Sequence, residues 1–126
     1  MDSFWENAFK QNKEMWGIEP AKSAIITRDF FVEHNVRTVL IPGIGYGRNA
    51  KIFMDSGMVV TGIEVSETAI SLSKKYFGDS LTIFHGSVTE MPFNNELYDA
   101  VFCYGLIYLL DAEERKKLIK DCFDQL

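Results

Sequence analysis

Three glycines, Gly43, Gly45 and Gly47, follow at once on a short apolar run, Thr38 to Ile41. The run is β-branched and apolar on both sides, which predicts a strand buried on both faces of a parallel sheet. Glycines directly after such a strand turn the chain sharply and omit the Cβ atoms that would keep a ligand away from the backbone. A helix behind them presents free N–H groups. Strand, glycine loop and helix in that order suit a nucleotide-like cofactor, although a tight turn could use the same glycines for structural reasons alone.

The rest of the chain repeats the alternation. Phe4, Trp5, Ala8, Phe9, Met15 and Trp16 recur at helical intervals and predict an amphipathic helix ending near Gly17. Pro20 is placed to open a second helix that stops around Asn35. After the glycine loop come a helix from Asn49 to Asp55 and a strand from Met58 to Ile63. A helix capped by Ser66 then runs through Tyr76, with Gly78 at its end. Leu81 to Phe84 and Ala100 to Tyr104 read as third and fourth strands, and Asp111 as the cap of a last helix from Ala112 to Leu126. Strands and helices at this spacing imply right-handed crossovers and an α/β, doubly wound, mainly parallel sheet with helices on both faces. Residues 1–126 read as one domain, with 1–35 a helical cap and 36–126 the βαβ core.

Glu64 ends the second predicted strand. In a doubly wound sheet the ends of strands one and two are neighbours at the ligand crevice, where a carboxylate can accept both hydroxyls of a ribose. Dinucleotide enzymes share this layout, but their Gly-x-Gly-x-x-Gly fingerprint requires glycine at position 48, where this chain has Arg48.

Gly-x-Gly-x-Gly followed by an acidic strand end resembles the class I S-adenosylmethionine-dependent methyltransferases, from about Thr38 onward. Two further pieces match in the family's order, Gly86-Ser87-Val88-Thr89-Glu90-Met91-Pro92-Phe93 and Tyr98-Asp99-Ala100-Val101-Phe102-Cys103-Tyr104. The resemblance implies a Rossmann-like fold with strand order 3-2-1-4 and S-adenosylmethionine as cofactor. Gly43, Gly45 and Gly47 would then pass its methionine part, Glu64 would hold the ribose, and Val65, Ser87 and Val88 would border the adenine. Cys103, Tyr104 and Gly105 would lie beneath the sulfonium, facing the acceptor. Ile41-Pro42 before the first glycine is similar to the thiol, thiopurine and tellurite-resistance branch, while Ser87 stands where the family usually has aspartate. The Asn/Asp-Pro-Pro-aromatic motif of enzymes that methylate exocyclic amines is replaced by Cys103-Tyr104-Gly105-Leu106, which disfavours those acceptors. In the thiol-methylating branch the N-terminal segment forms a lid, a role that would fall to Trp16; packing of Trp5, Phe9 and Trp16 on the sheet is the alternative. Tyr46 and Tyr108 are placed for acceptor contact, with a buried aromatic as the alternative for each. His34 and His85 read as structural.

A net charge of -5 argues against nucleic acid and anionic membranes as partners and leaves a small-molecule substrate. No apolar stretch approaches the ~18 to 20 residues of a membrane span, and the first residues lack the order of a signal peptide, so the expected location is the cytoplasm. Cys103 and Cys122 have neither metal-ligand nor disulfide-scaffold spacing and are expected as reduced thiols; no metal site is expected. Family members continue for several strands beyond the fourth, so the chain reads as a truncated domain. Its strand-four edge is open to a homodimer through that edge or the adjacent faces. The functional expectation is methyl transfer to a small molecule, with a thiol or other soft nucleophile as a candidate acceptor. Its alternatives are a silent cofactor-binding or oligomerisation module and, less in keeping with Arg48, a small dinucleotide-binding protein.

Overall fold

The computed structural model describes residues 2–126. Four parallel strands, β1 (Thr38–Pro42), β2 (Val59–Glu64), β3 (Thr82–His85) and β4 (Ala100–Val101), form a sheet of order β3-β2-β1-β4. Five helices surround it: α1 (Asp2–Asn12), α2 (Lys22–Glu33), α3 (Ala50–Asp55), α4 (Glu67–Phe77) and α5 (Ala112–Asp124). The fold is the Rossmann-like arrangement expected from the alternation of strands and helices. Among the described residues no helix is long and apolar enough to cross a membrane.

Strand residues alternate between two apolar layers, as a pleated strand requires. Val39, Ile41, Val60 and Ala100 pack with Ala24, Phe31, Ala50 and Phe53, while Leu40 and Ile63 pack with Val88, Met91, Tyr98 and Leu118. A third cluster, Phe9, Tyr46 and Ala69 with Trp5, Met15 and Leu72 against it, joins α1 to the glycine loop and α4.

β4 is shorter than the predicted Ala100 to Tyr104. The carbonyls of Thr38 and Leu40 accept from the N–H groups of Asp99 and Phe102, at 3.1 and 2.9 Å, so the even-numbered residues of β1 face β4. The next is Pro42, which has no N–H to donate, and the ladder stops there. Asp99 reinforces this short contact. Its Oδ2 accepts from the backbone N–H groups of Arg37 (2.8 Å) and Thr38 (3.2 Å), which hold its carboxyl below the usual aspartate range.

α1 also stops short of Gly17, because Lys13 takes a positive φ of 45° after Asn12. The second helix begins at Lys22, two residues past Pro20, and β3 is shifted by one residue to Thr82–His85. Asp111 caps α5 as expected, with Glu114 returning the bond to complete a capping box, and the helix ends at Asp124.

Candidate functional site

The glycine loop bends over the end of β2. The N–H groups of Gly43 and Ile44 both donate to the carbonyl of Ile63, at 2.8 and 3.1 Å. This close approach depends on Gly62, where a Cβ would stand 2.6 Å from the side chain of Ile44. The three loop glycines differ in what they face. A Cβ on Gly43 would meet Leu106 at 3.3 Å, whereas one on Gly47 would collide with the Phe77 ring at 2.7 Å. Gly43 and Gly45 line the large cavity; Gly47 lies outside its lining and lets the loop pack on α4.

Glu64 is 6% exposed at the end of β2, and its carboxylate oxygens are held separately. Oε1 accepts from the N–H of Gly45 at 2.8 Å and Oε2 from the N–H of Ser66 at 3.0 Å. Burial pushes its carboxyl above the ordinary glutamate range, and the bonds from Ser66 and Gly45 partly oppose that rise. Each oxygen keeps a lone pair for a further donor.

The cavity has a volume of about 1040 Å³. On the β2–β3 side it is bordered by Glu64, Val65, Ser87 and Val88, and on the β4 side by Tyr104, Gly105, Leu106 and Tyr108. The hydroxyl of Ser87 is engaged with Thr89, 2.8 Å from its hydroxyl and 3.2 Å from its N–H, and caps the short turn Val88–Glu90. Cys103 is exposed and is not among the lining residues; partial desolvation of its thiol pushes that group up, and Cys122 is raised to about 11 by burial and by Cys103. Both cysteines are free.

The segment between α1 and α2 forms a strap across the loop. Tyr46 is buried, donates its hydroxyl to the Gly17 carbonyl (2.6 Å) and accepts from the Trp16 N–H (3.0 Å). Asn49 Oδ1 accepts from the Ala21 N–H at 2.8 Å, and Arg48 Nη1 donates to the Glu19 carbonyl at 3.2 Å. Trp16 stacks on Tyr46 with centroids 6.3 Å apart, and with Trp5 and Phe9 it lines the cavity. Tyr46 is thus both a buried aromatic and a cavity wall, whereas Tyr108 is 70% exposed rather than buried. A smaller cavity of about 350 Å³ lies behind the strap and shares Tyr46 and Arg48.

Several contributors have no local signal in the sequence. Glu6 reaches from α1 to the start of α4, where its carboxylate accepts from the Ser66 hydroxyl (2.5 Å) and the Thr68 N–H (3.1 Å). Gly86 is required because a Cβ there would lie 2.6 Å from the Phe93 ring. Both depend on partners distant in the chain or on a later turn. His34 and His85 bond the carbonyls of Phe30 and Val65, each at 2.9 Å.

Comparison with known proteins decides the family, since the profile of the methyltransferase domain matches residues 39–126. The chain belongs to the methyltransferase domain family. The match begins inside β1 and takes in the glycine loop, Glu64 and every later strand. Among solved methyltransferase structures, the glycopeptide N-methyltransferase MtfA aligns at 24% identity with a TM-score of 0.72, covering 86% of this chain and 53% of that one. Magnesium protoporphyrin IX methyltransferase (ChlM) from Synechocystis PCC 6803 with bound SAM aligns at 14% identity and a TM-score of 0.77, covering 98% and 71%. A structure solved for the conversion of a disulfide bond into a thioacetal group during echinomycin biosynthesis gives 18% identity and a TM-score of 0.80, covering 99% and 56%. At these identities the likeness shows the fold. The chain spans about half the length of the first of these structures. No curated protein matches it in sequence.

Proposed function

We propose that this chain binds S-adenosylmethionine in the large cavity and transfers its methyl group to a small-molecule acceptor, a thiol or other soft nucleophile. The observation that carries the reading is Glu64: a buried carboxylate with each oxygen anchored by one backbone N–H and each still able to accept from a ribose hydroxyl. The residues fit the group. At Gly43, whose φ is +67°, a Cβ would crowd Leu106 at 3.3 Å, and Val65 and Val88 offer apolar contact where an adenine would rest. ChlM and MtfA have been crystallised with SAM, which supports the same use of this fold here.

When bound, S-adenosylmethionine supplies an electrophilic methyl carbon on a sulfonium. Transfer by direct displacement needs alignment of the nucleophile and exclusion of water, and a thiolate needs no dedicated base. Trp5, Phe9, Trp16 and Tyr46 supply an aromatic wall, and the Tyr46 bonds hold the strap across the loop. Tyr104, Leu106 and Tyr108 give the β4 side an apolar and aromatic character suited to a soft acceptor. The Ile41-Pro42 variant of the loop and the disulfide-to-thioacetal chemistry of one structural neighbour favour sulfur. The thiol, thiopurine and tellurite-resistance branch is therefore the one we assign, with the cytoplasm as its compartment.

The test is incubation with S-adenosylmethionine labelled in its methyl group and a panel of thiols. Labelled thioether is the expected product. Cofactor binding without transfer to any thiol would overturn the acceptor assignment and favour a silent cofactor-binding module.

We also infer a homodimer through the β4–α5 side. Ile119, Phe123 and Leu126 are exposed at helical spacing along and just beyond α5, and exposed Leu97 precedes Tyr98, whose N–H donates to the Gln125 carbonyl at 2.7 Å. An apolar face of this kind favours association.

A further inference from the structure

We infer that Glu6 of α1 is a positioning residue for Glu64: it sets the Ser66 N–H that holds one oxygen of the Glu64 carboxylate, so the roof of the cavity and the end of β2 are fixed together. The consequence for ligands rests on the proposed ribose contact of Glu64; the placement of that carboxylate does not. Ser66 is fully buried and stands between the two carboxylates. Its N–H donates to Glu64 Oε2 at 3.0 Å, and its hydroxyl donates to Glu6 Oε1 at 2.5 Å, across 60 positions of sequence. Ser66 Oγ also accepts the Ala69 N–H at 3.1 Å, so the hydroxyl proton is committed to Glu6. Both Glu6 oxygens are spent on this turn, because the Thr68 N–H donates to Oε1 and the Thr68 hydroxyl to Oε2, each at 3.1 Å.

Ser66 is the N-cap of α4, with φ -88° and ψ 117°, where the chain turns from the strand end into the helix. Holding its side chain from one side and its N–H from the other fixes that turn. Burial raises the Glu64 carboxyl, and the Ser66 N–H is the strongest of the donors that oppose the rise. Glu6 is held below the ordinary glutamate range, first by the Ser66 hydroxyl, and so stays charged while Glu64 titrates. α1 has an apolar attachment of its own, since Phe9 packs with Tyr46 and Ala69, and Trp5 lies against them. Trp5 and Phe9 also line the cavity, so the helix that walls it carries the group that sets Glu64. The competing account is that Glu6 only fastens α1 to α4.

The two accounts differ in the sign of one measurement, the titration midpoint of Glu64 followed by carboxyl carbon NMR on the ligand-free full chain. Removing a nearby negative charge on its own would leave that midpoint unchanged or lower it. Loosening the Ser66 N–H would raise it. In Glu6→Ala a rise of about half a pH unit or more is expected, and in Glu6→Gln, which keeps an acceptor oxygen without the charge, a smaller rise. Glu6→Gln decides the matter if Glu6→Ala does not fold. Lys10, 3.8 Å from Glu6, and His85, which faces Glu64, are the other charged or titratable groups at the two carboxylates, and both variants retain them. Calorimetry then compares S-adenosylhomocysteine with its 2′,3′-dideoxy counterpart. The first is expected to bind Glu6→Ala about two- to tenfold more weakly, with the second changed less than about twofold. A midpoint that stays or falls would overturn the inference and leave Glu6 a fastening of α1. If the midpoint rises but neither nucleoside binds the unaltered chain, or both weaken alike in the variant, Glu6 stands as a positioning residue and the ribose contact of Glu64 has failed.

Discussion

Under the proposed cofactor reading, Glu64 would couple pH to the fold and to the ligand in opposite directions. Its folded-state pKa is raised, so its contribution to stability is present below the unfolded value and fades as pH rises through the folded one. On the proposed reading ribose hydroxyls would donate to the charged form, so cofactor affinity should behave the other way. From about pH 8 downward, S-adenosylhomocysteine affinity is expected to stay level and then fall, by up to about tenfold per pH unit, with a midpoint above that of an ordinary glutamate. Calorimetry across that range checks it; a profile that is the same in Glu64→Gln would remove Glu64 as the cause. Glu6 and Asp99 are held low by their donors, so their contributions are present above the unfolded value and are lost as pH falls through the folded one. Gly62 is the other residue-scale test. Gly62→Ala should lower stability by about 1–3 kcal/mol in urea unfolding, and adding Ile44→Ala should cost less than the two single changes summed, because it removes the two 2.6 Å clashes and leaves only the Ile44 Cβ at 2.9 Å. Glu64 was legible in the sequence, as a charged residue that closes an apolar strand. Gly62 was not, since its constraint is a loop residue that only the fold brings against it.

Among elements, those whose signal is local came through best. β1 and β2 lie within one residue of the apolar runs that predicted them, and the Asp111–Glu114 capping box starts α5 where the side chains say it must. The errors have physical causes outside the segments concerned. Ala100 to Tyr104 is apolar enough for five strand residues, but the length of β4 is set by its neighbour, where Pro42 ends the supply of donors. The strap reads as a continuation of α1 because Met15 and Trp16 keep its spacing, yet they pack against the glycine loop instead. Tyr46→Phe tests what holds the strap: it removes both hydroxyl bonds and leaves the ring. Faster amide exchange at Trp16 is expected, with a global loss of about 1 kcal/mol. Unchanged protection of that amide would show that aromatic packing alone fixes the segment.

At the scale of the molecule, the order β3-β2-β1-β4 gathers the glycine loop, Glu64, Ser87 and Tyr104 around one crevice although 61 positions separate Gly43 from Tyr104. The order follows from the alternation of elements together with the family resemblance. The cavity's roof does not, because it is built from α1 and the strap, ahead of the matched residues 39–126. The exposed face of α5 bears on assembly: sedimentation equilibrium at micromolar concentration is expected to show a dimer, and Phe123→Glu a monomer. A monomer for the unaltered chain would rule the dimer out. The measurement that bears most directly on the function is titration calorimetry of the chain and of Glu64→Ala with S-adenosylhomocysteine and with NAD. Binding of S-adenosylhomocysteine but not NAD, weakened at least ~30-fold in Glu64→Ala, is the expected result. No binding of the sulfur nucleoside, or binding indifferent to the loss of Glu64, would contradict it.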